Sequence, residues 1–345
     1  MLRRGLITQQ ENIEEIRLIS LTKWINSIEL IAGAEIIPIK NDASERRYFR
    51  LKKGNDSYIV VDARLNENCL SFVEIARYFE EMDLCVPNIF EVDLENSFLL
   101  ISDMGSDHYF DSFQSKPEKV NELYIDAIDA LLLMQNRGIA YAKSLPSYNE
   151  NLLNHELSLF KDWFCSKHLN LEFNNIQENE WKVCCDFLVK NALDQQKVFV
   201  HRDYHSKNLM VIPKKNPGIL DFQDAVKGPF TYDLVSLLKD CYIAWPREQV
   251  HLLALYYYEN IDKNIFRNLS EEQFLTYFEL MGLQRHLKVA GIFCRLNYRD
   301  GKPNYMKYIY TVLDYIIEIT SKYSELIFVD NLITEKIIPM LSETK

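Results

Sequence analysis

Apolar residues in the first hundred positions follow two different periods. Residues 12–32 repeat at helical spacing, and Gly33 follows the last of them, which predicts a helix that ends there. The next segments are short, rich in β-branched and aromatic residues, and separated by turn-forming Asn, Asp and Gly. A second helix is predicted at 69–82, after the third of these segments. The predicted strands are 36–39, 48–51, 58–61, 89–92 and 98–101.

The chain after residue 103 has mostly helical periodicity. One apolar face runs from Val120 to Met134, in a helix that stops at Gly138. We therefore predict an α+β protein with two lobes: a small antiparallel β-sheet lobe over 1–102 with one inserted helix, and a larger helical lobe over 103–345. Further helices are predicted at 150–168, 178–193, 231–244, 247–261, 271–296 and 303–322, with short β segments at 198–200, 209–212 and 218–222.

Composition and charge narrow the class of protein. The 345 residues are 48% hydrophobic and 26% charged, which is typical of a globular chain of about two domains. The net charge of −11 and the absence of long basic runs argue against binding to nucleic acid or membranes. The seven cysteines show no CxxC spacing, and no signal peptide or membrane helix is evident. We expect a cytoplasmic monomer.

One loop carries the most informative chemistry. Residues 201–208 read H-R-D-Y-H-S-K-N between two β segments, and Asp221 ends the next one. Phosphoryl transfer from ATP needs a group that orients the acceptor hydroxyl and oxygen ligands that hold magnesium on the phosphates. Asp203 suits the first role, and Asn208 and Asp221 suit the second. The spacing predicts that all three side chains meet at one end of a short hairpin.

A competing interpretation uses the same loop. His201, Asp203 and His205 are spaced at i, i+2 and i+4, so a continuing strand would point all three to one side, where they could bind a transition metal. That arrangement would indicate a metallohydrolase. It leaves Asn208 and Asp221 without a role, and we favour a structural His201. His205 would either hold Asp203 or contact the substrate.

Residues 201–240 resemble the aminoglycoside phosphotransferase superfamily, which has a protein-kinase-like fold. Three further stretches, 42–50, 98–105 and 279–293, resemble more narrowly the anomeric N-acetylmuramate/N-acetylglucosamine kinases of bacterial cell-wall recycling. The resemblance implies a bilobal protein-kinase-like fold. It also implies an ATP-dependent enzyme with Mg²⁺ as cofactor that phosphorylates the anomeric hydroxyl of one or both of these amino sugars.

The resemblance also implies binding residues. The nucleotide phosphates would lie under the loop that includes Ala43, Ser44, Arg46 and Arg47, and adenine would meet the backbone of Ser102, Asp103 and Met104. The acceptor sugar would contact His205, Asp224, Arg285 and His286, since an arginine can bind the carboxylate of an acidic sugar. Asp233 is expected to be a helix N-terminal carboxylate stabilised by the helix dipole.

One departure from kinases concerns the third strand. Kinases usually carry a phosphate-binding Lys there, whereas this chain has Asp62 at that place. Our hypothesis is that Arg46, Arg47 or Arg50 supplies the missing positive charge. Two alternatives stay open: a kinase of the same fold that acts on another hydroxyl, such as an aminoglycoside or choline, and a nucleotide-binding module without catalysis.

Overall fold

A computed structural model of the chain describes residues 2–39, 46–63 and 69–343. The chain divides into two units, each with its own internal packing. The first comprises the chain up to Ala76 together with Pro87–Gly105, and the second comprises Arg77–Val86 together with the chain from Ser106 onward. The division therefore passes through the helix that follows the third strand.

The first unit contains a helix and a five-stranded antiparallel sheet with strand order β1-β2-β3-β5-β4. This confirms the predicted α+β class, and each of the five strands appears where the sequence predicts it. The elements are α1 (Leu2–Ser27), β1 (Glu35–Ile39), β2 (Arg47–Lys53), β3 (Asp56–Asp62), α2 (Cys69–Glu81), β4 (Ile89–Asp93) and β5 (Phe98–Ser102).

Helix α1 covers one face of this sheet. Neighbouring residues of a strand point to opposite faces, so every second side chain of β2, β3 and β5 meets the helix. This core is apolar and fully buried, and it explains the alternating pattern of the sequence. Its buried members are Leu21, Ile25, Ile31, Phe49, Leu51, Val60, Phe98 and Leu100.

Asp62 lies on this same face, two residues beyond Val60, and its side chain is 1% exposed. Arg17 of α1 donates through Nε to one carboxylate oxygen at 2.6 Å, and Arg47 of β2 donates to the other at 2.8 Å. Arg17 also donates to the carbonyl oxygen of Ala63. A buried carboxylate without such partners would cost several kcal/mol. Asp62 is thus a structural carboxylate that joins α1 to the sheet.

The second unit is mostly helical and contains four short strands. Strand β6 (Lys197–Val200) pairs with β9 (Val226–Pro229), and β7 (Leu209–Met210) pairs with β8 (Gly218–Ile219). The helices are α3 (Tyr109–Ser115), α4 (Val120–Gly138), α5 (Glu150–Leu159), α6 (Asn175–Asp194), α7 (Tyr232–Leu238), α8 (Arg247–Asn260), α9 (Glu271–Tyr298), α10 (Ile309–Thr320), α11 (Ile327–Asn331) and α12 (Ile338–Glu343).

The second unit differs from the sequence-based expectation in several places. Strand β9 was not predicted, because its Gly228-Pro229 pair is typical of a loop. The predicted helix 231–244 ends at Leu238, and the predicted helix 150–168 continues from α5 as a π-helical segment, Phe160–His168. No helix among the described residues is both long and apolar enough to cross a bilayer.

Helix α9 is buried along most of its length and packs closely on α5. At Gly291 an added Cβ would lie 2.3 Å from the backbone of Leu159, so the two helices can approach this closely only because position 291 lacks a side chain. The close packing fixes α9 relative to the short strands. Its residues 285 and 288 are therefore held rigidly in the interior.

Replacing Asp62 with Asn should destabilise the first unit by about 2–4 kcal/mol, because Arg17 and Arg47 would lose their shared carboxylate. Chemical denaturation of the full chain, followed by far-UV circular dichroism, measures the change. Asp56→Asn is the matched control, since Asp56 is an exposed aspartate at the start of the same strand. Equal stability of the two variants would contradict the structural role of Asp62.

Candidate active site

Asn208 and Asp221 lie at the same end of the β7–β8 hairpin. Asn208 directly precedes β7, Asp221 lies two residues after β8, and Leu209 pairs with Ile219. The backbone N–H of Leu220 donates to the carbonyl oxygen of Asn208 at 2.9 Å. Asp221 has a φ of +61°, and its Oδ1 accepts a hydrogen bond from Gln223 at 2.8 Å. The hairpin thus brings residues 208 and 221 to the same end of the two strands.

Asp203 joins this pair through two local contacts. The amide nitrogen of Asn208 donates to the carbonyl oxygen of Asp203 at 3.0 Å. The backbone N–H of Asp203 donates to Nδ1 of His201 at 3.2 Å, and Nε2 of His201 lies 3.0 Å from the carbonyl oxygen of Leu220. The structure therefore places Asp203, Asn208 and Asp221 in one region of the second unit.

The contacts of His201 argue against the alternative metal site. Since Nδ1 accepts a hydrogen bond and Nε2 faces a carbonyl oxygen, the ring is a neutral tautomer with its proton on Nε2. Burial lowers the pKa of His201 to about 4, which agrees with a neutral ring. Neither nitrogen then offers a lone pair to a metal. No cluster of three or more His, Cys, Asp or Glu side chains suited to a metal is found in the described part of the chain.

Asp233 holds the first half of the loop. It lies in the first turn of α7, as predicted, but its carboxylate accepts hydrogen bonds from the backbone N–H groups of His201 at 2.6 Å and Arg202 at 3.0 Å. Arg202 has a φ of +77°, a conformation that a non-glycine residue keeps only when its surroundings enforce it. Burial raises the pKa of Asp233 to about 7, against the effect of the two donors.

Asp240 holds the second half of the loop. Its Oδ2 accepts hydrogen bonds from the backbone N–H of Ser206 at 3.1 Å and from the Ser206 hydroxyl at 2.5 Å, and its Oδ1 accepts one from the backbone N–H of Tyr242 at 2.9 Å. Asp240 is completely buried. Sequence reasoning missed it, because an isolated Asp 34 positions away from Ser206 gives no periodic signal.

A buried carboxylate on α5 balances two cations near Asp203. Glu156 lies 2.8 Å from Nη2 of Arg202 and 2.8 Å from Nζ of Lys288, and it accepts a further hydrogen bond from Tyr148. Lys288 also donates to the hydroxyl of Tyr232 at 2.9 Å. Burial alone would raise the pKa of Glu156, but Lys288 and Arg202 hold it below its ordinary value. This cluster was not predicted.

The electrostatic surroundings keep Asp203 charged. Burial would raise its pKa, but the nearby Lys288, His205 and Arg202 lower the pKa of Asp203 below the ordinary 3.8. The carboxylate is therefore ionised at neutral pH. It can accept a hydrogen bond from an acceptor hydroxyl.

The residues predicted to bind the acceptor have different surroundings. His205 and Arg285 are both buried in the second unit, with 9% and 3% of their surfaces exposed. His286 is fully buried, with Nε2 at 2.9 Å from the carbonyl oxygen of Lys239 and its ring stacked on Tyr315. Asp224 is exposed. His286 is thus engaged within the protein.

The residues predicted to bind the nucleotide belong to the first unit. The side chain of Asp103 accepts hydrogen bonds from Arg50 at 2.6 Å, from Ser57 at 2.5 Å and from the backbone N–H of Gly105 at 2.9 Å. These bonds fix the segment formed by Ser102, Asp103 and Met104. Arg47 is paired with Asp62, and Arg46 is 6% exposed with its guanidinium over the ring of Phe72. Ala43 and Ser44 lie outside the described residues.

Comparison with known proteins gives concordant matches. Residues 35–264 match the model of the phosphotransferase enzyme family. The N-acetylmuramate/N-acetylglucosamine kinase of Pseudomonas aeruginosa is 43% identical over 305 residues, which cover 85% of this chain and 89% of that protein. The protein of the same name from Pseudomonas putida is 38% identical over 333 residues, covering 93% and 97%.

Solved structures with the same fold are more distant in sequence. An ADP-bound aminoglycoside phosphotransferase, APH(2'')-Ib, has a TM-score of 0.58 at 14% identity, covering 87% of this chain and 96% of its own. Choline kinase LicA from Streptococcus pneumoniae has a TM-score of 0.59 at 12% identity, covering 90% and 100%. These similarities confirm the predicted protein-kinase-like fold.

Replacing Glu156 with Gln should destabilise the second unit by about 3–5 kcal/mol at neutral pH, because Arg202 and Lys288 would be left without a buried counter-charge. The pKa of Glu156 is lowered in the folded state, so its stabilising contribution is complete above the ordinary value of 4.5 and is lost as the pH falls through the folded pKa. The difference from the wild type should therefore shrink on acidification.

Urea denaturation at neutral and at acidic pH measures this difference. Glu150→Gln is the matched control, because Glu150 is an exposed glutamate in the first turn of the same helix. A destabilisation that stays constant on acidification, or one shared by the control, would contradict the proposed charge balance.

Proposed function

Because the chain belongs to the phosphotransferase enzyme family, we propose that it transfers the γ-phosphoryl group of ATP to the anomeric hydroxyl of N-acetylmuramate and of N-acetylglucosamine. The observation that carries this proposal is the meeting of Asp203, Asn208 and Asp221 at one end of the β7–β8 hairpin. The names of the relatives support the choice of acceptor.

We propose that Asp203 is the catalytic base. Its ionised carboxylate accepts the proton of the sugar hydroxyl while the hydroxyl oxygen forms a bond to the γ-phosphorus and the bond to the β,γ-bridging oxygen breaks, which releases ADP. An anomeric hydroxyl is more acidic than an ordinary alcohol, so a weak base is sufficient. The hydrogen bonds that the loop backbone donates to Asp233 and Asp240 keep Asp203 in place.

Asn208 and Asp221 are proposed as the Mg²⁺ ligands. The amide nitrogen of Asn208 donates to Asp203, so its amide oxygen is the atom offered to a cation. Asp221 offers a carboxylate, and oxygen donors are what Mg²⁺ prefers. When bound, the metal neutralises charge on the phosphates of ATP.

We propose that the first unit binds the rest of the nucleotide. The hydrogen bonds of Asp103 to Arg50 and Ser57 hold the segment 102–104, whose backbone is proposed to contact adenine. The loop with Ala43 and Ser44 is proposed to cover the phosphates. Arg47 and Arg50 each pair with a carboxylate of their own unit, and one of Arg46, Arg47 and Arg50 is proposed to supply the cation that compensates for the missing Lys.

The relatives argue against the alternative acceptors, because they are named N-acetylmuramate/N-acetylglucosamine kinases and not aminoglycoside or choline kinases. The non-catalytic alternative is disfavoured because Asp203, Asn208 and Asp221 are present and held together. An acceptor panel with ATP and Mg²⁺, followed by ³¹P NMR of the product, tests the proposal. Absence of an anomeric phosphate would refute it.

Replacing Asp203 with Asn should lower kcat by about 10²–10⁴-fold, because the amide cannot accept the hydroxyl proton. Steady-state ADP release in the presence of sugar measures the change. Asp162→Asn, at an exposed aspartate of the same unit, is the control and should leave kcat unchanged. Near-normal turnover of the Asp203 variant would remove Asp203 from the mechanism.

A further inference from the structure

Arg285 is a buried cation that forms no ion pair with any of the described residues. Its side chain lies in the middle of α9 with 3% of its surface exposed. Within residues 2–39, 46–63 and 69–343, its Nη1 atom has no hydrogen-bond partner. A buried guanidinium is expensive unless an anion pairs with it, so such a site is suited to an anionic ligand.

The neighbouring cations, unlike Arg285, are paired with a carboxylate. Lys288 lies one helical turn further along α9, and it contacts Glu156 at 2.8 Å. Arg202 contacts the same carboxylate at 2.8 Å. Two of the cations close to Asp203 therefore share one internal carboxylate, and no comparable ion pair is formed by Arg285 within the described residues.

Three carboxylates of the described chain lie close to Arg285, and two of them are already engaged. Asp240 uses both oxygens for the backbone of Ser206 and Tyr242, and Asp233 uses both for the backbone of the loop. The third is Asp203, the proposed base. Burial opposes the charge of Arg285, but Asp240 and Asp203 raise its pKa, so it stays protonated. These groups keep the guanidinium charged without forming a hydrogen-bonded ion pair with it.

Two further groups belong to the catalytic loop itself, His205 and Lys207. His205 is within the electrostatic range of both Arg285 and Lys207, and its Nδ1 has no hydrogen-bond partner in the described part of the protein. Lys207 has its ammonium 4.2 Å from the ring centre of Tyr242 and 5.7 Å from that of Tyr305. The region thus combines positive charge, a ring nitrogen and aromatic faces, a set of groups suited to an acidic sugar.

We propose that Arg285 binds the carboxylate of N-acetylmuramate and makes this sugar the better of the two acceptors. The two sugars differ by one group, because N-acetylmuramate carries a lactyl ether with a carboxylate where N-acetylglucosamine has an uncharged hydroxyl. A guanidinium can bind a carboxylate through two parallel hydrogen bonds. The proposal rests on the proposed function, and it assigns Arg285 to substrate selection.

Steady-state kinetics of Arg285→Gln with both sugars test this assignment. We expect the KM for N-acetylmuramate to rise by about 10–100-fold, because a charge-assisted hydrogen-bonded pair is lost. The kcat/KM for N-acetylglucosamine should change less than about threefold. Arg285→Lys should recover part of the affinity, since it keeps the charge and loses the paired geometry. A kcat that falls equally for both sugars would overturn the proposal and place Arg285 on the transferred phosphoryl group.

Arg295→Gln is the matched control, because Arg295 is a half-buried arginine on the same helix. It should leave the ratio of the two kcat/KM values unchanged. Thermal unfolding of each variant shows whether it folds, and if Arg285→Gln does not, Arg285→Lys alone must still lower the preference for N-acetylmuramate.

The dissociation constants of both sugars for the Asp203→Asn variant, measured by calorimetry, test this proposal separately from the proposed function. The role of Arg285 is supported if the Asp203→Asn variant binds N-acetylmuramate more tightly than N-acetylglucosamine and the double variant with Arg285→Gln does not. This holds even if the wild type phosphorylates neither sugar. Equal binding of the two sugars would overturn it even if the wild type phosphorylates both.

Discussion

The site depends on two buried carboxylates that hold the backbone of one loop. Asp233 accepts hydrogen bonds from residues 201 and 202, and Asp240 accepts them from Ser206 and Tyr242. A loop of eight residues has no ladder of its own to satisfy these N–H groups, and leaving them unpaired in the interior would be costly. The strained φ of Arg202 and the position of Asp203 both follow from this arrangement.

Charge compensation then sets the chemistry of the loop. Glu156 pairs with both Arg202 and Lys288, which helps two cations to lie in the interior close to Asp203. Those cations in turn lower the pKa of Asp203 despite its burial. The Asp203 carboxylate is therefore ionised in the resting protein. Stability of the second unit and ionisation of Asp203 come from the same set of charges.

The sequence predicts features that repeat or that lie close along the chain. The five strands follow from alternating patterns, and the meeting of Asn208 with Asp221 follows from the short β7–β8 hairpin between them. Partners distant in sequence could not be predicted: Arg17 for Asp62, 45 positions apart, and Glu156 for Arg202, 46 apart. The sequence shows only that Asp62 occupies the strand position of the kinase Lys. Its partners in the structure show that it is a structural carboxylate on the face covered by α1.

The contrast between Lys288 and Arg285 separates two tasks on one rigid helix. They lie three positions apart on α9, whose close packing on α5 at Gly291 prevents either from shifting. Lys288 is saturated by Glu156 and supports the catalytic loop, whereas Nη1 of Arg285 finds no partner within the described chain. A cation that is paired with a carboxylate of the protein contributes little to discrimination between substrates, because a ligand would have to break that ion pair. A cation without such a pair can form one only with the ligand. The proposed substrate preference of Arg285 and the internal ion pair of Lys288 can therefore change independently.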